Sequence, residues 1–179
     1  MKGIVFTEFL EMVEDQFGFE TADKIITDAE LDSEGVYTAV GTYDHTEMVQ
    51  LVGNLSHESG LSIPQLLEAF GIHLFSQFAS GYGHFFDGVT DAFTFLSSIE
   101  NYIHIEVRKL YPDAELPTFD IKRLDENTLL MIYKSERGFG DFAQGLIKGC
   151  IQHFGESISI DRDNLNGSKE VKFILRKNT

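Results

Sequence analysis

Two places in the sequence combine residue types that can hold a ligand. The first is His104, in the stretch SSIENYIHIEVRKLYPDAELP at residues 97–117. An imidazole serves as a metal ligand, a proton carrier or, bonded to a neighbour, a plain structural group. Read as a helix at about 100° per residue, Leu96, Ile99, Ile103, Val107 and Leu110 form an apolar stripe about 80° wide. His104 then falls about 100° from the centre of that stripe, beside Phe93 and Tyr111, where it borders the core. The second place is MIYKSERG, residues 131–138. In an extended chain Tyr133, Ser135 and Arg137 project from one face over about 13 Å, at roughly 3.3 Å per residue. Two hydroxyls and a guanidinium make a row of donors with no acid among them, which fits a ligand bearing carboxylates. Lys134 and Glu136 point to the other face. Residue pattern alone leaves plainer readings open: a partly buried or surface histidine, and a solvated strand end.

Other chemistry is poorly supported. His45, His57, His73, His84 and His153 form no HxxxH or HExxH pair, which argues against a zinc enzyme. There is no P-loop, no GxGxxG and no GxSxG. The glycine-containing SGYGHFFDG carries no donors suited to phosphate. Cys150 is the single cysteine, so neither an intramolecular disulfide nor a multi-cysteine zinc site can form. Its apolar helical setting reads as core.

The elements that must position these residues follow from periodicity and punctuation. Val5, Phe6, Phe9, Leu10, Val13 and Phe17 have helical spacing, ended by Gly18. Thr21 is placed to cap a short helix through Leu31. DHTE at 44–47 resembles a capping box, Asp44 as cap and Glu47 three residues on, opening a helix toward Ser59. Ser62 with Pro64 just inside announces another, carrying Leu66, Leu67, Phe70, Leu74, Phe75 and Phe78, and broken at Gly81 and Gly83. One long helix is then predicted from about Val89 to Tyr111, stopped by Pro112. Beyond it, PTFDIKRL and TLLMIYKSE read as strands joined by DEN. DFAQGLIKGCIQHF returns to helical spacing, and SISIDRD and KEVKFILRK flank NLNGS as a second hairpin. The expectation is an α+β fold: an N-terminal helical layer, then a four-stranded antiparallel sheet with an inserted helix, in one domain over residues 1–179.

Composition narrows the partners. Fourteen basic against 29 acidic residues give a formal net charge of −15, which repels phosphate backbones and anionic membranes. No nucleic acid and no membrane are therefore expected; a basic protein or a small neutral ligand is not opposed. The start MKGIVFTEFLEMVEDQFG meets an acid at Glu8 and lacks a signal-peptide core, and no run approaches the roughly 18 apolar residues of a span, so a cytoplasmic protein is expected. Sixteen Phe and no Trp imply an aromatic, pliable interior.

A histidine in YIHIEVRKLYPDAELP, followed about thirty residues later by Y-x-S-x-R in YKSER, resembles the H-NOX family, the haem nitric oxide/oxygen-binding domains related to the haem domain of soluble guanylate cyclase. The resemblance runs from the MKG start to the final hairpin. It implies haem b bound between the helical layer and the sheet, with His104 as proximal iron ligand and Tyr133, Ser135 and Arg137 on the propionates. Pro117 matches a proline that presses on the porphyrin. Oxygen-binding members use a distal tyrosine; the matching place here is Phe142 in GDFAQGL, with Phe139 as its nearby rival, and the other distal positions are Phe9 and Leu74. Such an apolar pocket favours NO, with CO as a second gas, and discriminates against O2. The family implies a sensor that is not an enzyme and that signals to a separate protein, a histidine kinase or a cyclic-di-GMP enzyme. Two other readings stay open: a haem-free small-molecule-binding regulatory domain on a related fold, and a haem enzyme such as a peroxidase, against which stands the lack of a polar distal acid–base residue.

Overall fold

The structure is a computed structural model and describes residues 1–178. Four helices come first: α1 (Gly3–Phe17), α2 (Phe19–Thr27), α3 (His45–Ser59) and α4 (Ile63–Gly81). The caps are largely the ones the sequence announces. Ser62 and Gln65 close a reciprocal box with Pro64 inside it, and Asp44 accepts from the Thr46 N–H at 2.8 Å. Glu47 does not complete the second box. It turns inward, almost fully buried, and accepts from Ser33 Oγ at 2.5 Å and Tyr37 OH at 2.6 Å. A buried carboxylate requires such donors, and here they fasten the 28–44 loop to α3. Thr21 is not a cap either. Gly18, at φ +89°, turns the chain directly into α2, and the Thr21 hydroxyl donates to Phe17 O inside the bend. That helix stops at Thr27 rather than Leu31.

A 3₁₀ turn at Gly83–Phe86 follows, and then the largest departure from expectation. The long helix predicted over 89–111 is three pieces: α5 (Ala92–Ser97, capped by Asp91), a π-turn (Ile99–Ile103) and α6 (His104–Leu110). In the π-turn the Ile103 N–H reaches back five residues to Ser98 O at 3.2 Å. The wide turn rotates everything beyond it relative to a regular helix. Leu110, placed in the core stripe by regular spacing, is half exposed, while His104 is buried.

The remaining elements are β1 (Thr118–Asp125), β2 (Thr128–Lys134), α7 (Gly140–His153), β3 (Ile158–Asn166) and β4 (Glu170–Lys177). The sheet is antiparallel in the order β1-β2-β4-β3. The α+β expectation holds, with α7 as the inserted helix. Leu129, Met131 and Tyr133 on β2 alternate inward beside Val171, Phe173 and Leu175 on β4. With α5 and α7 they form one core; α1–α4 form a second, and Leu146 of α7 packs on both. Helices α4 and α7 meet backbone to backbone: a Cβ on Gly145 would lie 2.1 Å from Glu68 O, and one on Gly71 would lie 2.3 Å from Phe142 O. Only glycine permits that approach.

Candidate functional site

His104 opens α6 directly after the π-turn and is only 8% exposed. It and Glu47 are the buried polar or charged residues of the described chain, and they differ in one respect. Glu47 is fully bonded, whereas His104 Nδ1 has no hydrogen bond. Glu100 Oε1 lies 3.1 Å from Nδ1, an oblique ion-pair contact across one turn. Glu8 Oε2 and His73 Nε2 are the other unbonded buried polar atoms among the described residues; they face each other at 3.7 Å between α1 and α4. Burial pushes the His104 imidazole below its ordinary range; Glu100 opposes this and Arg108 adds to it. The neutral ring is thereby favoured, the form that binds metals.

A short aromatic path joins His104 to the sheet. Its ring lies 6.2 Å from Phe119, and Phe119 lies opposite Tyr133 across β1–β2 with ring centroids 5.6 Å apart. Tyr133 is buried, and its hydroxyl accepts from the Phe139 N–H at 3.2 Å. Ser135 and Arg137 depart from the expected row. Strand β2 ends at Lys134, and the chain turns: Gly138, at φ +70°, donates to Ser135 O at 3.2 Å, and Arg137 N donates to Ser135 Oγ at 3.3 Å. The three residues therefore do not share one strand face. Arg137 instead reaches across to the segment before β1, where its guanidinium pairs with the Glu115 carboxylate and donates to Glu115 O at 3.2 Å. Lys134 lies away from it, paired with Asp120 at 2.7 Å.

Arg137 lines an open 370 Å³ cleft together with the first two residues, the start of α3 and the segment before β1. The cleft brings together the Met1 ammonium, Lys2, His45 and Arg137 with Asp44, Asp113 and Glu115. Lys2 Nζ bonds Asp113 at 2.9 Å and Val40 O at 2.8 Å, tying the first residues to the loop after α6. Pro117 is half-buried on that same segment, just before β1.

The distal candidates gather in the helical core. Phe9 and Leu74 are buried there, and Phe142 is half-buried. Phe70 holds Phe9 edge-on at 5.2 Å and stacks on Phe142 at 5.0 Å. Phe139 joins the same core at the start of α7, its ring edge-on to His45 at 6.4 Å. Their side chains carry no hydrogen-bond donor. The sequence reading missed Glu100 and Glu115. Glu100 had a visible signal, standing four residues before His104, the spacing at which helical side chains meet; Glu115 had none, because its contact spans 22 residues.

The residue types fit a haem: a buried imidazole whose neutral form is favoured, a guanidinium on a cleft for carboxylates, and apolar rings in the helical core, with neither His104 nor those rings lining the cleft itself. The Haem-NO-binding family profile matches residues 2–162, and the chain belongs to that family, the H-NOX domains. These are haem-based sensors of NO or O2 and are not themselves catalytic. The chain superposes on the Fe(II) unliganded H-NOX protein of K. algicida with a TM-score of 0.95 and 49% identity, over 100% of this chain and 97% of that one. For the S. oneidensis H-NOX protein in the Fe(II)NO state the values are 0.89 and 31%, over 100% of both chains. It is also 27% identical over 143 residues to Soluble guanylate cyclase 89Db of Drosophila melanogaster, covering 76% of this chain but 20% of that protein, so it spans about one fifth of that relative. No helix among the described residues is long and apolar enough to cross a membrane.

Proposed function

We propose that residues 1–179 form a single cytoplasmic sensor domain that binds haem b through His104, detects NO, discriminates against O2, and signals to a separate protein, a histidine kinase or a cyclic-di-GMP enzyme. The observation that carries this reading is the buried His104 imidazole, held next to the sheet, with burial favouring its neutral, metal-binding form. When bound, haem would supply an iron that binds a gas, NO or CO. The chain's own residues would do the rest. His104 would hold the iron. Arg137, with Tyr133 and Ser135, would hold the propionates, Glu115 being the carboxylate that Arg137 pairs with here. Pro117, just before β1, would pack against the macrocycle. Phe9, Leu74 and Phe142 offer the gas no hydrogen bond, which costs O2 more than NO, because O2 gains from a donor. NO would act by differential affinity on a balance between two states of His104 and of the helical layer relative to the sheet.

Absorption spectra of the purified, reduced, haem-supplemented protein with and without NO test this reading. A haem band that shifts on NO addition is expected, with no stable O2 binding in air-saturated buffer. Absence of any haem band would favour the haem-free regulatory alternative instead.

Arg137 gives a narrower test. Exposed ion pairs contribute up to about 1 kcal/mol, and breaking a buried one costs about 3–5 kcal/mol. The Arg137 side chain is 19% exposed, between these cases. Arg137→Ala is expected to cost about 1–2 kcal/mol of haem binding, roughly a 5- to 30-fold loss. Lys134→Ala, which removes only the exposed Asp120 pair, should leave affinity unchanged. Haem-transfer rates to apomyoglobin measure both, and equal effects would sink the propionate assignment.

A further inference from the structure

Glu100 Oε1 makes two contacts that no assigned role explains. It accepts from the Phe119 backbone N–H at 2.8 Å, and it stands 3.1 Å from His104 Nδ1. The first contact reaches β1 two residues after Pro117. The second touches the imidazole on the nitrogen that has no other partner. The π-turn explains how one side chain serves both: Glu100 lies within it and His104 directly follows it, so the wide turn sets the carboxylate beside the ring.

Resting on the ligation proposed above, we infer that Glu100 is the positioning residue for the iron ligand, accepting the Nδ1 proton of His104 and joining the ligand helix to the segment that carries Pro117. The chemistry follows from the two imidazole nitrogens. A carboxylate beside Nδ1 keeps the proton there and leaves the Nε2 lone pair for the metal. A proton drawn toward a carboxylate also makes the imidazole a stronger electron donor, so the iron–histidine bond is stronger than with a neutral acceptor. A rotation of the imidazole about its Cβ–Cγ bond brings the oblique contact into line. Because the same oxygen accepts from the Phe119 N–H, a change in the His104 contact would be felt at β1.

The test separates charge from support. Glu100→Gln keeps an oxygen acceptor for the Phe119 N–H but removes the charge; Glu100→Leu removes both. Resonance Raman spectra of the ferrous, unliganded holoprotein read the iron–histidine stretch directly. The expected result is a lower frequency in E100Q than in the parent, and haem transfer to apomyoglobin faster by about 10-fold, the low end for a partner behind a metal ligand. A purely structural role for Glu100 would leave the E100Q frequency unmoved, and that result overturns the inference. Should either variant fail to fold, the unmodified protein still decides. In ¹⁵N-histidine NMR spectra of its diamagnetic CO-bound form, the Nδ1 proton of His104 should sit downfield, as for donation to a carboxylate. A resonance at the position of an unbonded imidazole overturns the proposal. Failure of the ligation reading looks different: the parent itself would show no iron–histidine band, and His104→Gly would retain the parent spectrum.

Discussion

His104→Gly is expected to yield protein that holds haem only when free imidazole is supplied. Glycine removes the one protein bond proposed to reach the metal and leaves a hole the size of an imidazole in a buried position. Losing a partner behind a metal ligand typically costs about 10- to 100-fold in affinity, and losing the ligand itself should cost more. The hole also predicts the rescue, because free imidazole can enter and supply the same nitrogen. His57, whose side chain is 89% exposed on α3, is the control and should accept glycine without spectral change. A native ferrous spectrum for His104→Gly in imidazole-free buffer would refute the axial assignment.

Phe142→Tyr should give the pocket, proposed above to exclude stable O2 binding, the ability to retain O2. The ring stacks on Phe70, against which Phe9 also packs, so a para hydroxyl would enter the apolar cluster shared with Leu74. A hydrogen bond to charge developing on O2 contributes about 1.5–3 kcal/mol, which corresponds to roughly 10- to 150-fold in affinity. NO gains little from the same donor and should bind almost unchanged. Phe139 is the weaker candidate for this position, since its backbone N–H is bonded to Tyr133 and its ring turns toward His45 at the cleft. Stopped-flow mixing of the reduced variant with air-saturated buffer measures O2 dissociation. Stable O2 binding by the unmodified protein would be the damaging result, because these side chains contain no donor to account for it.

The elements that could be read from the sequence are those specified by neighbours in the chain. Asp44, Ser62 with Pro64, and the DEN turn act through bonds to residues one to four positions away, and each stands where it was expected. The motif pair around His104 and Tyr133 was also sufficient to identify the family, because it depends on residue type more than on conformation. What could not be read depends on distant contacts or on a break in regularity. Helical spacing assumes four-residue hydrogen bonds, so it missed the π-turn and misplaced Leu110. Alternation assumes an extended chain, and so it missed the turn at Gly138 that carries Arg137 to Glu115. Glu47 looked like the capping-box partner of Asp44 because its buried partners, Ser33 and Tyr37, lie in a loop without periodicity.

The five-residue turn before His104 also limits how this chain can change over evolutionary time. Removing a single residue between Ile99 and Ile103 would offer the backbone an ordinary helix, with better hydrogen-bond geometry and no local penalty. The side chains from His104 onward would keep nearly their present direction, because the wide turn absorbs about one extra residue. The imidazole would keep its buried position, but Glu100, one residue closer in sequence, would lose its place beside the ring. A deletion that is benign for the helix and tolerable for the ligand would thus remove the ligand's carboxylate neighbour. When related sequences are aligned, a gap inside this segment marks a protein that supports its histidine in another way.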